Sequence, residues 1–281
     1  SVSEICAEIE QKLDFLSAEM ADVPERQRSI GAIVEPTWQR LNQEAQQAFM
    51  KTAVFHGGFT RQLFQQVTGA SVRTLKTLLQ RSLISQGSGR RYALHPLVRQ
   101  FAHHKLKESD QHISAQQAHL FACTAFAQEQ ANAMFLGAYL QSIESLAAEQ
   151  DNFFAALDFA FANDAAASGT KLLLNLCDFW RIRARTREAV TYFERAIKHQ
   201  DTAVIHYWLG VFKPKLGLIE EGMTHLDQAL ALSDPEENGE LVALIHKQKA
   251  YTLYSIDPLE ARRLAETALT MSQRVDSHRL Q

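Results

Sequence analysis

Apolar residues recur every three or four positions along most of the chain, which is the spacing of one face of an α-helix. Ser3 is a candidate cap for the first of these stripes, which predicts a helix over residues 3–20. Glycine and proline are few, with 12 and 6 in 281 residues, whereas Ala, Gln, Leu and Glu are abundant. We therefore expect a mainly α protein.

Three short helices are predicted between residues 42 and 81. The first covers Gln43–Phe55 and stops at His56-Gly57-Gly58, a glycine stop. Thr60 is the expected cap of the second helix, which ends at Gly69, and Ser71 is the expected cap of the third. Two helices separated by a three-residue turn and followed by a hairpin have the order of a helix-turn-helix with a wing.

A short β-hairpin is predicted directly after these helices. Strand formers at 83–84 and 92–94 flank Gly87-Ser88-Gly89, which can supply the positive φ angles of a tight reversal. Pro96 then stands where a first-turn proline is tolerated in a helix. His95 is thereby fixed at the junction of strand and helix, where two packed elements hold its backbone rigid.

The helical pattern continues after residue 107 and becomes repetitive. Amphipathic segments are predicted over Ser114–Gln130, Ala138–Ala148 and Asp151–Asn163. The second and third are joined by a polar hinge, Glu149–Asn152, to which we assign only helix capping and solubility. This part of the chain is therefore expected to form a helical bridge.

Tetratricopeptide-like units of about 34 residues follow the bridge. When Leu209-Gly210 is set at the Leu-Gly pair of such a unit, Gly217 falls at the turn and Gly222 in the second helix. The same phase predicts three repeats, near residues 170–203, 203–236 and 242–275, and hence an α-solenoid with a concave groove that binds a protein or peptide.

Groove candidates are the polar and aromatic residues of the first helices, although for each one taken alone an ordinary solvated face is the favoured interpretation. Arg181, Arg183, Arg185 and Arg187 alternate along the chain and could receive an acidic segment. The full set of candidates is Asn175, Asp178, Arg181, Arg183, His206, Tyr207, Lys213, His246, Lys247, Lys249 and Tyr251. The residues to which we assign partner binding are Arg181, Arg183, Tyr207, Lys213, Lys247 and Tyr251.

The net charge of −3 conceals two oppositely charged halves. Residues 1–107 contain fourteen Lys and Arg against nine Asp and Glu, whereas residues 108–281 contain fifteen against twenty-three. The stretch Ala45–Lys107 holds ten basic residues and no acidic one, and such a field attracts phosphates or an acidic protein surface. The candidate DNA- or phosphate-contacting residues are Arg73, Lys76, Arg81, Arg90 and Arg91.

Motifs for catalysis are absent from the sequence. It contains no Gly-x-x-x-x-Gly-Lys-Ser/Thr phosphate loop, no His-Glu-x-x-His and no Gly-x-Ser-x-Gly. The adjacent histidines His103-His104 face different ways on a helix and cannot share a metal ion. We therefore expect no catalytic residue, no metal site and no enzymatic activity in this chain.

The cysteines and the hydropathy indicate the cellular setting. Cys6, Cys123 and Cys177 are far apart and lack Cys or His partners at ligand spacing, which predicts a reducing, cytoplasmic environment. No run of eighteen apolar residues and no export leader is present, so neither a membrane nor secretion is expected. Because the helical pattern is already in progress at Ser1, we expect a fragment of a larger protein.

The segment Arg91–Ala102, RYALHPLVRQFA, resembles the part of the winged-helix domain that carries the Met-His-Asp motif in NB-ARC type nucleotide switches. These are STAND-class ATPases, which include plant resistance proteins and apoptosome proteins. His95 matches the motif histidine, whereas Leu94 replaces the Met and Pro96 replaces the Asp. In that family the histidine contacts the β-phosphate of bound ADP and holds the resting state, so the resemblance implies this role for His95.

Further stretches resemble the same family. The segment from Ala53–Thr60 to Arg81–Leu83 is similar to bacterial STAND regulators, and Glu149–Leu157 is similar to the bridge before their repeats. The segment from Pro24 to Leu41 resembles the connector before the winged helix. The implied parts are the end of the NB-ARC helical domain with its connector (1–41), a winged helix with a small β-hairpin (42–107), a helical bridge (108–168) and tetratricopeptide repeats (169–281).

The function that this resemblance implies is regulatory. The winged helix would clamp the ADP state through His95, and a protein or ligand on the repeats would release it. The full-length parent would be an ATPase that binds ADP or ATP with Mg²⁺ in an upstream nucleotide-binding domain and oligomerises on activation. This fragment would itself hold no cofactor.

A DNA-binding transcriptional regulator whose repeats sense an inducer is the alternative. Three basic residues lie on or near the third helix and two on the wing, where DNA phosphates would be contacted. Against it, the third helix has no Asn or Gln in its first two turns to bind adenine. The residues expected to be exposed there are Arg73, Thr74, Lys76 and Thr77.

Overall fold

The computed structural model describes residues 33–275, which are mainly helical. The predictions for residues 3–20, for Cys6 and for the connector before residue 33 lie outside these residues. The chain forms two compact units. The first unit extends to Phe126 and includes Leu140–Phe159, whereas the second comprises Ala127–Tyr139 and the residues from Ala160 onward. The predicted bridge, 108–168, therefore contributes to both.

The first unit begins with helical residues 33–39, followed by three helices, a hairpin and a fourth helix. The bounds are α1 Gln43–Lys51, α2 Arg61–Thr68, α3 Val72–Gln80, β1 Ser85–Gln86, β2 Tyr92–Ala93 and α4 Pro96–Lys107. The first predicted helix ends four residues early, because Thr52–Val54 forms a 3₁₀ turn. The predicted caps are confirmed: Thr60 accepts the Leu63 N–H at 3.2 Å, and Ser71 accepts the Thr74 N–H at 3.3 Å.

Aromatic side chains form the centre of the first unit's core. Phe49, Phe59 and Phe64 are completely buried, and α4 contributes Phe101. The ring of Trp38 packs against Phe49 and Phe101 at centroid distances of 5.9 and 6.2 Å. Trp38 is therefore a partly buried side chain packed against this core, and it anchors the start of the unit against α1 and α4.

The first strand of the hairpin begins later than its sequence predicts. Residues 83–84 are strand formers in sequence, but they are buried in the core, and β1 begins only at Ser85. Ser85 pairs with Ala93 across the antiparallel hairpin. The reversal uses left-handed conformations at Gly89 and Arg90, with φ of 65° and 59°. β2 ends at Ala93, two residues before His95.

Three helices lie between α4 and the repeats. Their bounds are α5 His112–Phe135, α6 Tyr139–Ala148 and α7 Gln150–Ala162. The three predicted amphipathic segments of this region are confirmed as helices, and α5 extends past both predicted ends. Within residues 33–275, no helix combines the length and the apolar composition needed to cross a membrane.

The second unit consists of successive helix pairs. Gly210 and Gly222 lie where helices pack closely. A Cβ added to Gly210 would clash with the Leu226 side chain, and a Cβ added to Gly222 would lie 2.5 Å from Pro214 Cγ. This packing and the helix order are consistent with an α-solenoid, and the helix pairs follow the three predicted repeats. The bounds are α8 Ala166–Ile182, α9 Thr186–Ala196, α10 Ala203–Phe212, a 3₁₀ turn Lys213–Leu216, α11 Ile219–Ala231, α12 Gly239–Leu253 and α13 Pro258–Val275.

Candidate functional site

His95 is an exposed side chain at the N-terminus of α4. Its Nδ1 accepts the backbone N–H of Leu97 at 3.3 Å, so the histidine is the cap of the helix that Pro96 begins. A nitrogen that accepts a hydrogen bond carries no proton, and the neutral ring therefore carries its proton on Nε2. Among residues 33–275 no other group bonds to the ring, which leaves Nε2–H as a donor toward solvent.

The chain four residues before His95 is held by a buried carboxylate. Arg91, at the end of the hairpin turn, forms an ion pair with Glu149. The Glu149 side chain is 1% exposed and that of Arg91 22%, so little water screens the pair. Tyr92, the next residue, exchanges two backbone hydrogen bonds with Phe59, each 2.8 Å long. The hairpin is thus attached to the rest of the unit on both sides.

The chain four residues after His95 is held through a second contact. The Arg99 guanidinium lies 3.0 and 3.1 Å from the two ring nitrogens of His56. The backbone N–H of His56 donates to Asn152 Oδ1 at 2.8 Å. Glu149 and Asn152, three residues apart where α6 ends and α7 begins, therefore hold both sides of the His95 junction. We call these two side chains the clamp.

Asn152 is completely buried, and its side chain contacts the His56–Gly58 loop, Glu149 and His119. Besides accepting from His56, it donates through Nδ2 to the Gly58 carbonyl at 2.8 Å and to Glu149 Oε2 at 2.6 Å. The His56–Gly58 loop can approach this closely only with glycines. Gly57 and Gly58 have φ of 70° and 96°, and a Cβ on Gly57 would lie 2.6 Å from Asp151 Oδ2.

His119 and Cys123, both on α5, lie against the clamp and are fully buried. His119 Nε2 is 3.3 Å from Asn152 Oδ1, and the Phe55 ring stands edge-on at 5.4 Å. Burial lowers the pKa of His119 to about 4 and raises the pKa of the Cys123 thiol. At neutral pH both groups are therefore uncharged, and the thiol is poorly reactive.

The interpretation of Glu149–Asn152 as only capping and solubilising residues was wrong. Glu149 and Asn152 are buried and lie on the same stripe as Leu146 and Ala156, which are also buried. The three- and four-residue spacing of these positions was visible in the sequence. A polar residue that interrupts an apolar stripe at such a position is the signal that could have indicated a buried network.

The other basic candidates of the first unit are dispersed over its surface. Arg73 and Lys76 on α3, Arg81 after it and Arg90 on the hairpin are all exposed, whereas Arg91 is the partner of the clamp. Thr74, expected to be exposed beside them, is buried and donates its hydroxyl to Glu44 at 2.5 Å. That prediction was wrong because α3, which is capped by Ser71, has Thr74 on its buried face, together with Leu75 and Leu78.

The partner-binding candidates of the second unit divide into exposed and engaged residues. Arg183, Lys247 and Tyr251 are exposed, and Arg181 is exposed while pairing with Asp178 at 3.1 Å. These four side chains remain accessible to a protein partner.

Tyr207 is instead partly buried in the second unit, and Lys213 is buried in it. Burial raises the pKa of Tyr207 to about 12. Lys213 is 6% exposed and pairs with Glu221 at 2.7 Å and with Glu194 at 3.0 Å. Burial alone would lower the pKa of Lys213, but its hydrogen bonds with Glu221 and Glu194 outweigh this effect and raise it. Lys213 therefore contributes to the packing between repeats and is not presented on an open groove.

Within residues 33–275, no three or more His, Cys, Asp or Glu side chains are grouped so that they could hold a metal ion. No protein-family model matches the chain, and no curated protein matches it. It is similar to the crystal structure of a signal transduction ATPase with numerous domains (STAND) and a tetratricopeptide repeat sensor from Pyrococcus horikoshii. The two are 14% identical with a TM-score of 0.46, and the match covers 88% of this chain but only 41% of that one.

Proposed function

We propose that this chain is the regulatory and sensor portion of a STAND-type nucleotide switch, in which His95 Nε2–H donates a hydrogen bond to a phosphate of bound ADP. The observation that carries the proposal is the cap at α4. Because His95 Nδ1 accepts the Leu97 N–H, the ring offers a donor at Nε2 and is exposed to receive an acceptor. Phosphate oxygens are acceptors of this kind.

The surroundings of His95 favour an anion. The stretch Ala45–Lys107 contains ten basic residues and no acidic one, so the local field is positive. The clamp fixes the chain on both sides of the histidine, through Arg91 and through His56, and a fixed donor loses less entropy on binding. The order of three helices, a hairpin and a further helix supports our assignment of a winged helix to this region.

In this proposal the nucleotide itself is held by a domain upstream of Ser1, together with Mg²⁺, and any ATP hydrolysis occurs there. The present chain contributes the contact that stabilises the ADP state and has no catalytic residue of its own. We propose a cytoplasmic protein that oligomerises when the contact is released.

The second unit is the proposed sensor. Its helix pairs are consistent with a solenoid, and repeat arrays of this kind bind proteins or peptides on the face of their first helices. Four exposed candidates, Arg181, Arg183, Lys247 and Tyr251, are the side chains we assign to a partner, and their mainly positive charge favours an acidic one.

Replacing His95 with Ala in the full-length protein should release ADP and raise basal oligomerisation. The loss of one charge-assisted hydrogen bond predicts a decrease in ADP affinity of about 10- to 100-fold. The measurement is the molar ratio of ADP to protein after purification, by ion-exchange chromatography of the released nucleotide, with the oligomeric state from light scattering. His104→Ala is the matched control, because His104 is an exposed histidine on the same helix. Unchanged ADP content and unchanged oligomerisation in the His95 variant would contradict the proposal.

DNA binding is the second candidate, and the exposure of Arg73 and Lys76 on α3 favours it. A protein that contacts several phosphates should lose about 10³-fold or more in affinity between about 50 and 200 mM salt. Titration of the intact chain with duplex DNA measures this, with Arg73→Ala/Lys76→Ala as the test variant and Lys247→Ala as the control. If binding is weak and its salt dependence is the same in the wild type and in the double variant, a DNA-reading role for α3 is excluded.

A further inference from the structure

Two histidines of the second unit are joined by a hydrogen bond. His206 on α10 and His225 on α11 have their Nδ1 atoms 2.9 Å apart. The other nitrogen of His206, Nε2, lies 2.7 Å from Asp201 Oδ1. His206 is 4% exposed, so this chain of three side chains has its centre inside the unit. No step in the proposed switch uses it.

The number of protons on the pair follows from these contacts. Asp201 is an acceptor, so His206 carries a proton on Nε2. One proton must also lie between the two Nδ1 atoms, because two lone pairs at 2.9 Å repel each other and two N–H groups clash. When His206 is neutral, His225 must therefore donate from Nδ1, and its own Nε2 is an unprotonated acceptor.

Uptake of one more proton keeps the hydrogen bond but reverses it. His206 then becomes an imidazolium that donates from both nitrogens, and its charge is stabilised by Asp201. His225 becomes the acceptor at Nδ1 and must carry its single proton on Nε2. A further proton would place two N–H groups face to face and would break the bond between the rings. The pair is therefore suited to accept one proton and not two.

Charged groups of three elements act on the pair. Glu194 on α9, Lys213 on the 3₁₀ turn and Glu221 on α11 act on His225, in addition to His206. The Lys213 ammonium forms ion pairs with both glutamates. Partial burial and then the charges of Lys213 and His206 lower the pKa of His225. The carboxylate in contact with the pair, Asp201, lies 2.7 Å from Nε2 of His206 and so stabilises a positive charge on that ring.

We propose that His206 and His225 form a single proton-binding site of the repeat unit, at which uptake of one proton exchanges donor and acceptor between the two rings. Both histidines, with Asp201 and Gln228, line a pocket of about 440 Å³. The tautomer of His225 changes with that proton, and the hydrogen-bonding character of the pocket lining changes with it. Binding by this part of the repeats therefore depends on whether the pair holds this proton.

Long-range ¹H–¹⁵N correlation spectra of the ¹⁵N-labelled chain test the proposal, recorded from about pH 8 to about pH 5 across the usual histidine range. The expected result is an Nδ1–H tautomer for His225 at high pH and an Nε2–H tautomer after a single proton is taken up, while the Nδ1 of His206 gains a proton at the same midpoint. Through-bond assignment of the wild-type spectrum is sufficient, so no variant has to fold.

Substitutions provide a second, independent measurement. In His225→Gln, the His206 ring should still titrate as a single site, but no tautomer exchange accompanies it. His246→Gln removes a histidine of α12 outside the pair and should leave both resonances unchanged. The proposal would be overturned if His225 kept an Nε2–H tautomer throughout, or if the two rings titrated at separate midpoints with no change of tautomer.

Discussion

Replacing Asn152 with Ala is expected to lower the free energy of unfolding of the first unit by about 3–5 kcal/mol. The substitution leaves the buried Gly58 carbonyl and Glu149 Oε2, and the partly buried His56 N–H, without the partner they have in the wild type. Each buried group that loses its partner costs about 1–3 kcal/mol, and water cannot enter readily because Asn152 is 0% exposed. Equilibrium urea unfolding, followed by circular dichroism, measures the change.

Gln80→Ala is the control for this prediction, because it removes a side-chain amide from the same unit. Gln80 is exposed at the end of α3, and its truncation should change stability by about 0.5 kcal/mol or less. Hydrogen exchange localises the effect of the Asn152 variant: amides of the hairpin and of the His56–Gly58 loop should exchange faster than in the wild type. A loss in stability below about 1 kcal/mol, with unchanged exchange in these two segments, would show that the clamp does not form in solution.

Acidification is expected to destabilise the first unit through His119, by up to about 3 kcal/mol between about pH 6.5 and pH 4. The folded-state pKa of His119 is lowered from 6.5 to about 4 by burial. Between about pH 6.5 and pH 4, His119 therefore binds a proton in the unfolded chain but not in the folded chain, so stability falls as the pH falls. Above pH 6.5 neither state is protonated at this site, and its contribution no longer changes with pH.

His119→Gln isolates this contribution, because the glutamine amide can still donate toward Asn152 and does not titrate. The measurement is the free energy of unfolding as a function of pH for both proteins. The acid-dependent loss should be smaller in the variant by about 3 kcal/mol. His104→Gln is the control, since His104 is exposed and should leave the difference between pH 7 and pH 4 nearly unchanged. Equal losses in the wild type and in His119→Gln would contradict the assignment of a neutral, buried ring.

Features that depend on neighbouring residues were predictable from the sequence. Thr60, Ser71 and Gly69 act on backbone groups within four positions of themselves, and the structure confirms all three as helix ends. The helix pairs of the second unit follow the predicted repeats for the same reason, because the phase of small residues such as Gly210 and Gly222 is a local pattern.

Features that depend on distant partners were not predictable in this way. The strand propensity of residues 83–84 was overridden by their burial in the core, which moved β1 toward the turn. The partners of Asn152 lie 94 and 96 residues away along the chain, and Lys213 is neutralised by carboxylates on two other helices. A single sequence contains no sign of which charges will meet across such separations.

His95, the cap of α4, is proposed to donate a hydrogen bond to a phosphate of bound ADP. The most direct measurement is a structure of the full-length protein with ADP bound, and in it the distance from His95 Nε2 to the nearest β-phosphate oxygen. The account predicts about 2.7–3.2 Å, with Nδ1 still accepting the Leu97 N–H. A bound ADP whose phosphates lie beyond about 5 Å, with His95 still facing solvent, would contradict it.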